Sequence, residues 1–376
     1  MAFEMTTMSE PQDAPLEIHV INRGYGESIV VRTPGGAWGV VDCYTRSLAK
    51  PELNPTIQFL EANSVERLEF LALTHPHDDH FRGMSALVAR FRPRQFWPFG
   101  AFTRAALENL ILYSRADAWR SDDRYESEAI DDFGQTLVEI RKLRDSGELS
   151  QRAMCDVKVL FPKKVNPDEP QGAEFRILCI APSSDNVQRY EDGLSACFTT
   201  DRRVREDAPR LRHNLVSAAL LLEYGQTRIL LGGDVEAPSW DGVLSYVDAS
   251  ALEACAFKVS HHGALSGYNE NLWSILTRRG EPYAVIAPSK QHGLPEGAAI
   301  SKIKNHTTRV YVTHLPALSS VSGSEVTPPR ALGFPLSTVF RERSVSDSTV
   351  YGRCTLAFDS HGNCQRAETH GSAALV

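Results

Sequence analysis

Apolar and polar positions along the chain follow two periods. Short, strand-length apolar runs occur at Ile18-His19-Val20-Ile21, Ser28-Ile29-Val30-Val31, Trp38-Gly39-Val40-Val41 and Leu68-Glu69-Phe70-Leu71-Ala72-Leu73. The first two flank Gly24-Tyr25-Gly26-Glu27, so they predict a hairpin closed by a glycine-rich turn. Pro34-Gly35-Gly36 predicts a second turn before the third run. Helical spacing appears at Pro55 to Ala62, and at Phe81 to Phe91, where Met84, Leu87, Val88 and Phe91 share a face.

From about residue 100 to 150 the pattern changes. Ala101 to Ala118 and Glu126 to Ser146 are charged and helical, which predicts a helical insertion or cap. Its aromatics, Phe102, Tyr113, Trp119 and Tyr125, are candidates to line a substrate groove or to pack the helices. Strands resume at Val157 to Phe161 and Phe175 to Ile180. A polar loop from Ser183 to Arg212 follows, then a strong hairpin of Val216 to Tyr224 and Thr227 to Leu231. A helix is expected around Trp240 to Val247. Strands are expected at Ala256 to Ser260, Tyr283 to Ala287, Arg309 to Thr313 and Val350 to Phe358, with a loop-rich stretch at 315–348. The residues before Leu16 and the tail from Gly371 are expected to be flexible. Strands interleaved with helices in two halves predict an α/β (α+β) fold: a four-layer αββα sandwich of two mixed sheets over residues 16–370, with the insertion between the halves.

Composition narrows the function. The chain has 376 residues, 42% hydrophobic and 23% charged, which is globular. A formal net charge of −7 argues against non-specific binding to long nucleic acid, although metal ions can supply positive charge locally. Seven scattered cysteines without a Cys-x-x-Cys pair suit free thiols in a reducing compartment. The first residues lack a basic and an apolar region, and no apolar run is long enough to span a bilayer, so the cytoplasm is the expected location and no membrane partner is expected.

The chemistry is concentrated in Thr74-His75-Pro76-His77-Asp78-Asp79-His80, at the end of an apolar strand. Imidazoles and carboxylates are ligands that zinc, manganese and iron favour. His75 and His77, two residues apart, can point into one cavity, while Asp79 and His80 can serve a second ion. Further ligand types recur at strand edges: His213 before the second hairpin, Asp234 after Gly232-Gly233, where a carboxylate can bridge two cations, and His261-His262-Gly263. No Gly-x-Ser-x-Gly string and no Walker loop is present, which weakens serine-hydrolase and P-loop readings.

In this order, Asp42, His75-x-His77-x-Asp79-His80, His213, Asp234 and His261, the chain resembles the metallo-β-lactamase superfamily of hydrolases. Val20 to Ser28, Asn214-Leu215-Val216-Ser217, Lys258-Val259-Ser260-His261-His262-Gly263 and His292-Gly293-Leu294-Pro295 look similar to the hydrolase domain of ComEC-type proteins. Two departures stand out: Gly24-Tyr25-Gly26-Glu27 where that group usually has Gly-Gln-Gly-Asp, and His213 where it usually has no ligand histidine.

The resemblance implies two divalent metal ions, zinc first and manganese as the alternative. His75, His77 and His213 would hold one, Asp79, His80 and His261 the other, and Asp234 would bridge them. His261 is favoured over its neighbour His262. Asp42 would orient a ligand histidine. Asp79, Asp234 and His292 would be catalytic, His292 facing the substrate, with Lys290 and Asn22 weaker candidates of that kind. A hydroxide between two cations would attack the substrate. The expected activity is phosphodiester hydrolysis, by a nuclease or nucleotide phosphodiesterase, on a small nucleotide or short single-stranded nucleic acid. The alternatives are carboxylic ester, lactone or thioester hydrolysis, or a metal-holding regulatory protein.

Overall fold

The computed structural model describes residues 14–103, 106–111, 114, 124–162, 174–197, 211–314 and 351–376. Within them the first apolar runs form β1 (Leu16–Asn22), β2 (Ser28–Arg32), β3 (Trp38–Val41), β4 (Phe70–Ala72), β5 (Gln95–Trp97) and β6 (Ser150–Gln151). The second half contributes β7 (Lys158–Phe161), β8 (Phe175–Ala181), β9 (Ala219–Tyr224), β10 (Thr227–Leu231), β11 (Ala256–Lys258), β12 (Tyr283–Ile286) and β13 (Val310–Val312). The chain then returns as β14 (Gly352–Phe358), β15 (Cys364–His370) and β16 (Ala374–Leu375). Among the described residues there are two eight-stranded sheets, ordered β15-β14-β1-β2-β3-β4-β5-β6 and β16-β13-β12-β11-β10-β9-β8-β7. Each mixes antiparallel hairpins with parallel neighbours, such as β3 beside β4 and β10 beside β11.

Three buried clusters establish the layering. The central one joins Ile18, Val20, Ile29 and Leu356 of the first sheet to Leu220, Leu222, Ile229 and Val285 of the second, so the sheets pack face to face. Each such side chain, fully removed from water, contributes roughly 1.5–3 kcal/mol. The outer face of the first sheet is covered by α1 (Pro55–Ala62), α2 (Asp78–Phe81), α3 (Met84–Phe91), α4 (Arg124–Asp145) and α5 (Ser184–Ala196), through Leu60, Leu87, Phe133 and Tyr190 among others. The outer face of the second is covered by α6 (Ala237–Tyr246), α7 (Glu270–Leu276) and α8 (Gly297–Lys304), through Trp240, Trp273 and Ile300. The expected αββα sandwich is the observed one. No described helix is long and apolar enough to cross a membrane.

Several local expectations are corrected. The helix expected over Phe81 to Phe91 is two pieces, because Gly83 adopts φ +95° between α2 and α3. The loop expected from Ser183 to Arg212 contains α5, whose first turn is capped by Ser183 Oγ accepting from the Asn186 amide at 3.3 Å. The tail from Gly371 is not free: Leu375 pairs with Tyr311 in the second sheet. Phe102 of the insertion packs edge-on against Phe96 and Phe99, as core. Tyr113, Trp119, the side chain of Tyr125, the stretch 315–348 and residues 1–13 lie outside the described residues. Helix α4 docks on the loop after β4: Gly83 N donates to Asp132 Oδ2 at 2.7 Å, and Arg82 Nη2 to Glu128 Oε2 at 3.1 Å.

Candidate metal centre

The strands that end at one edge of the sandwich bring the distant histidines and aspartates together. The loop after β4 and the entry to β9 meet where Ala218 N donates to Thr74 O at 3.1 Å, joining the two sheets under the site. His75, His77 and Asp234 place ligand atoms within 4.8 Å of one another, and so do Asp79, His80 and His262. His75 Nε2 lies 2.9 Å from His77 Nδ1. Asp234 stands between the groups: its carboxylate oxygens are 3.7 Å from His75 Nε2, 3.5 Å from His80 Nε2 and 3.7 Å from His262 Nε2. Its own amide is fixed by Ser217 Oγ at 2.8 Å.

Of the two adjacent histidines, the expectation favoured His261, and the geometry puts His262 in the cluster. His262 Nε2 is 3.0 Å from Asp79 Oδ2, and its Nδ1 is held by Ala287 O at 2.8 Å. His261 is partly exposed. Its Nδ1 meets Ser266 Oγ at 2.8 Å and its Nε2 approaches Asp234 only to 3.9 Å. The reason is backbone. β11 stops at Lys258, and His261 and His262 both take left-handed φ, +50° and +53°, before Gly263 at +81°. Strand alternation therefore ends before this pair. Such φ values are strained for histidine and persist where surrounding structure holds them, here through His261 N donating to Gly233 O at 2.9 Å.

Supporting contacts orient most of the ring nitrogens. Asp42 accepts from Thr74 N at 2.8 Å and Thr74 Oγ1 at 2.7 Å, and its Oδ2 lies 2.7 Å from His80 Nδ1. This turns His80 Nε2 toward Asp79 and Asp234. Tyr190 Oη meets His213 Nδ1 at 2.9 Å, and the His213 ring lies 4.9 Å from that of His77, which puts His213 beside the first group. His292 stands apart, exposed in a single turn at Lys290–His292, its ring 5.9 Å from that of Tyr25. Tyr25 Oη donates to Asp78 Oδ1 at 2.9 Å. Asn22, a weak substrate candidate, is buried with its amide group engaged by Pro288 O, Gly26 O and Gly24 N. Gly26 is required there: at φ +69° a Cβ would lie 2.3 Å from the Tyr44 ring.

One part of the site escapes sequence reasoning. Glu27 and Lys258, both fully buried, form an ion pair beneath the cluster, and Glu27 Oε2 is 3.5 Å from His262 Nδ1. The signal was a lysine inside the apolar run of β11.

The electrostatics fit cations. Burial holds His75 well below the ordinary histidine value, with His80 and His77 adding to it. Burial brings His77 down to about 4, against Asp79 and Asp234, and burial with His77 brings His213 down to about 3. These imidazoles are neutral donors at neutral pH. Burial works against charge on His80 and His262 too, but the Asp234 and Asp79 carboxylates outweigh it and raise both. Burial would raise Asp79 and Asp234, yet the neighbouring imidazoles hold both below the usual carboxylate range. Three buried atoms, Asp234 Oδ1, His80 Nε2 and His262 Nε2, have no hydrogen-bond partner. Buried polar atoms that converge without partners are costly, and a shared cation satisfies all three. The donor set of imidazole nitrogen and carboxylate oxygen suits zinc or manganese.

No family model and no curated protein matches this chain. Solved structures that match this chain include the CmlA beta-hydroxylase E377D mutant (14% identity, 67% of this chain and 36% of that one, TM-score 0.32). Zn2+-bound PqqB from Methylobacterium extorquens is another (11%, 64% and 71%, 0.29), as is a new diphosphatase from the PhnP family (8%, 75% and 93%, 0.31). This chain thus spans about a third of the first of these and most of the other two. These are metallo-β-lactamase-fold proteins, too distant to carry an activity to this chain. The layering here is a four-layer αββα sandwich of two mixed eight-stranded sheets, with a histidine and aspartate cluster across its strand ends.

Proposed function

We propose that the protein is a hydrolase with a two-ion centre that cleaves phosphodiester bonds, as a nuclease or nucleotide phosphodiesterase acting on a small nucleotide or short single-stranded nucleic acid. The observation that carries it is the convergence of His75, His77, Asp79, His80, Asp234 and His262 on one buried space, with Asp234 in reach of both groups. His75, His77 and His213 would hold one divalent ion, Asp79, His80 and His262 the other, and Asp234 would touch both; zinc is the expected metal. Bound there, the ions would supply Lewis acidity, lowering the pKa of water and offsetting charge on oxygens.

The chain's own groups do the rest. Asp42 holds Nδ1 of His80, Ala287 O that of His262 and Tyr190 that of His213. Asp79 and Asp234, buried and held below the usual carboxylate range, would orient an attacking water. His292, exposed beside Tyr25, would donate to a phosphate oxygen or leaving group of a substrate that reaches it. Phosphorus is favoured over carbon by the ComEC-like strings and by the cations Lys290 and Arg46 near His292. Seven free thiols fit the cytoplasm as its location.

The test is a substrate panel on zinc- and manganese-loaded protein: bis-p-nitrophenyl phosphate and short oligonucleotides against carboxylic esters, lactones and thioesters. Phosphodiester turnover that disappears in His77→Ala and Asp79→Ala supports the proposal. Turnover confined to the carbon esters refutes it.

A further inference from the structure

The sheet end that bears the metal loops also carries a second concavity. β1 ends at Asn22, and β14 starts opposite it at Gly352. β15 ends at His370, cross-strand from Arg353. Through the β1–β2 and β2–β3 pairings these ends lie at the same edge as the end of β3, where Asp42 opens the metal centre. There the structure has an open pocket of about 490 Å3 lined by Arg23, Gln58, Tyr351, Arg353 and His370. No carboxylate is among the described residues that line it.

Arg353 is the informative member. Its guanidinium lies over the Phe59 ring at 4.6 Å, which fixes the plane of the fork. Its Nε is buried without a hydrogen-bond partner, and it makes no ion pair with a described residue. Glu368, exposed and on the same face of β15, sits 3.4 Å from His370 Nε2. Burial acts against the charge on both Arg23 and Arg353, and only the Tyr351 and Glu368 side chains favour it at Arg353. Half-burying the Arg353 guanidinium with no carboxylate in contact is unfavourable unless an anion shares the concavity.

We propose that this pocket is a phosphate-binding site, with Arg353 its anchor and Arg23, Gln58, Tyr351 and His370 its further donors. A planar guanidinium matches a phosphate with two parallel hydrogen bonds, and the volume suits a nucleotide unit better than a bare ion. Resting on the phosphodiesterase reading, the ligand is a phosphate of the substrate further along the chain than the one cleaved, because β14 lies three strand spacings from β3.

Calorimetry with inorganic phosphate on the full, metal-loaded chain tests the site. Arg353→Gln is expected to weaken one binding event by about tenfold, or ~1.4 kcal/mol. Arg353→Lys weakens it less, and His77→Ala leaves that event in place. Equal phosphate binding by Arg353→Gln and wild type, with both folded by circular dichroism, overturns the site. Should Arg353→Gln not fold, His370→Gln carries the same expectation with a smaller loss. A second arm compares substrates. In Arg353→Gln, KM for a short oligonucleotide rises about tenfold with kcat kept, and KM for bis-p-nitrophenyl phosphate stays unchanged. Phosphate binding at this site in a protein that hydrolyses no phosphodiester upholds the pocket and removes the activity. An unchanged oligonucleotide KM, with phosphate binding lost, detaches the pocket from the substrate.

Discussion

His80 Nδ1 lies 2.7 Å from Asp42 Oδ2, so a carboxylate at the end of β3 sets the orientation of a histidine in the next loop. Asp42 reaches this position with a φ of +59°, and it spends its other bonds on Thr74. Asp42→Asn keeps the shape but loses the charge behind the imidazole. It is expected to weaken metal affinity by about 10- to 100-fold, measured by chelator competition, while the fold stays intact by circular dichroism. Unchanged affinity would remove Asp42 from the site.

The choice between adjacent histidines is a stoichiometry question. His262→Ala should lower the metal content by about one equivalent per chain in elemental analysis. His261→Ala should leave it near the wild-type value, because its ring bonds Ser266 at the margin. The opposite result would reverse the assignment.

Glu27 and Lys258 are a buried ion pair, where removing one partner leaves an uncompensated charge. Lys258→Met should cost about 3–5 kcal/mol in chemical denaturation, and the double variant Glu27→Gln with Lys258→Met should recover much of that loss. Additive effects of the two changes would show that they do not act as a pair.

His19 predicts a pH dependence unrelated to metals. Burial, with Arg353 and other cations nearby, lowers it from 6.5 to about 3; its Nδ1 bonds Thr355 Oγ1 at 3.0 Å and its ring packs on Phe59. The folded value lies below the unfolded one, so this contribution is fully present above about 6.5. It is lost as the pH falls from there toward 3. Between pH 7 and 4.5, urea midpoints of the metal-loaded wild type should fall more steeply than those of His19→Gln. Parallel curves would contradict this.

Much of the fold was legible because its signal is local. The apolar runs in Leu16–Asn22 and Ser28–Arg32, joined by a glycine-rich turn, define a hairpin wherever it packs, and the observed pairing joins Ile18 to Val31 and Val20 to Ile29. Short strands with weak periodicity were not legible. Gln95–Trp97 is three residues long, and Cys364–His370 is polar on its exposed face, so each is a strand only because a neighbour pairs with it.

The same division holds at the site. The spacing of His75, His77, Asp79 and His80 by itself determined that a strand end carries metal-ligand chemistry, since four potential ligands in six residues must share one loop. Tertiary structure decided which of His261 and His262 joins them, because a left-handed turn ends the alternation after β11. It also decided that Lys258 neutralises Glu27, that Tyr190 in α5 steadies His213, and that Arg353 and Arg23 line one pocket. Those contacts join residues far apart in sequence, and nothing in local periodicity encodes which distant side chains the packing of two sheets will bring together.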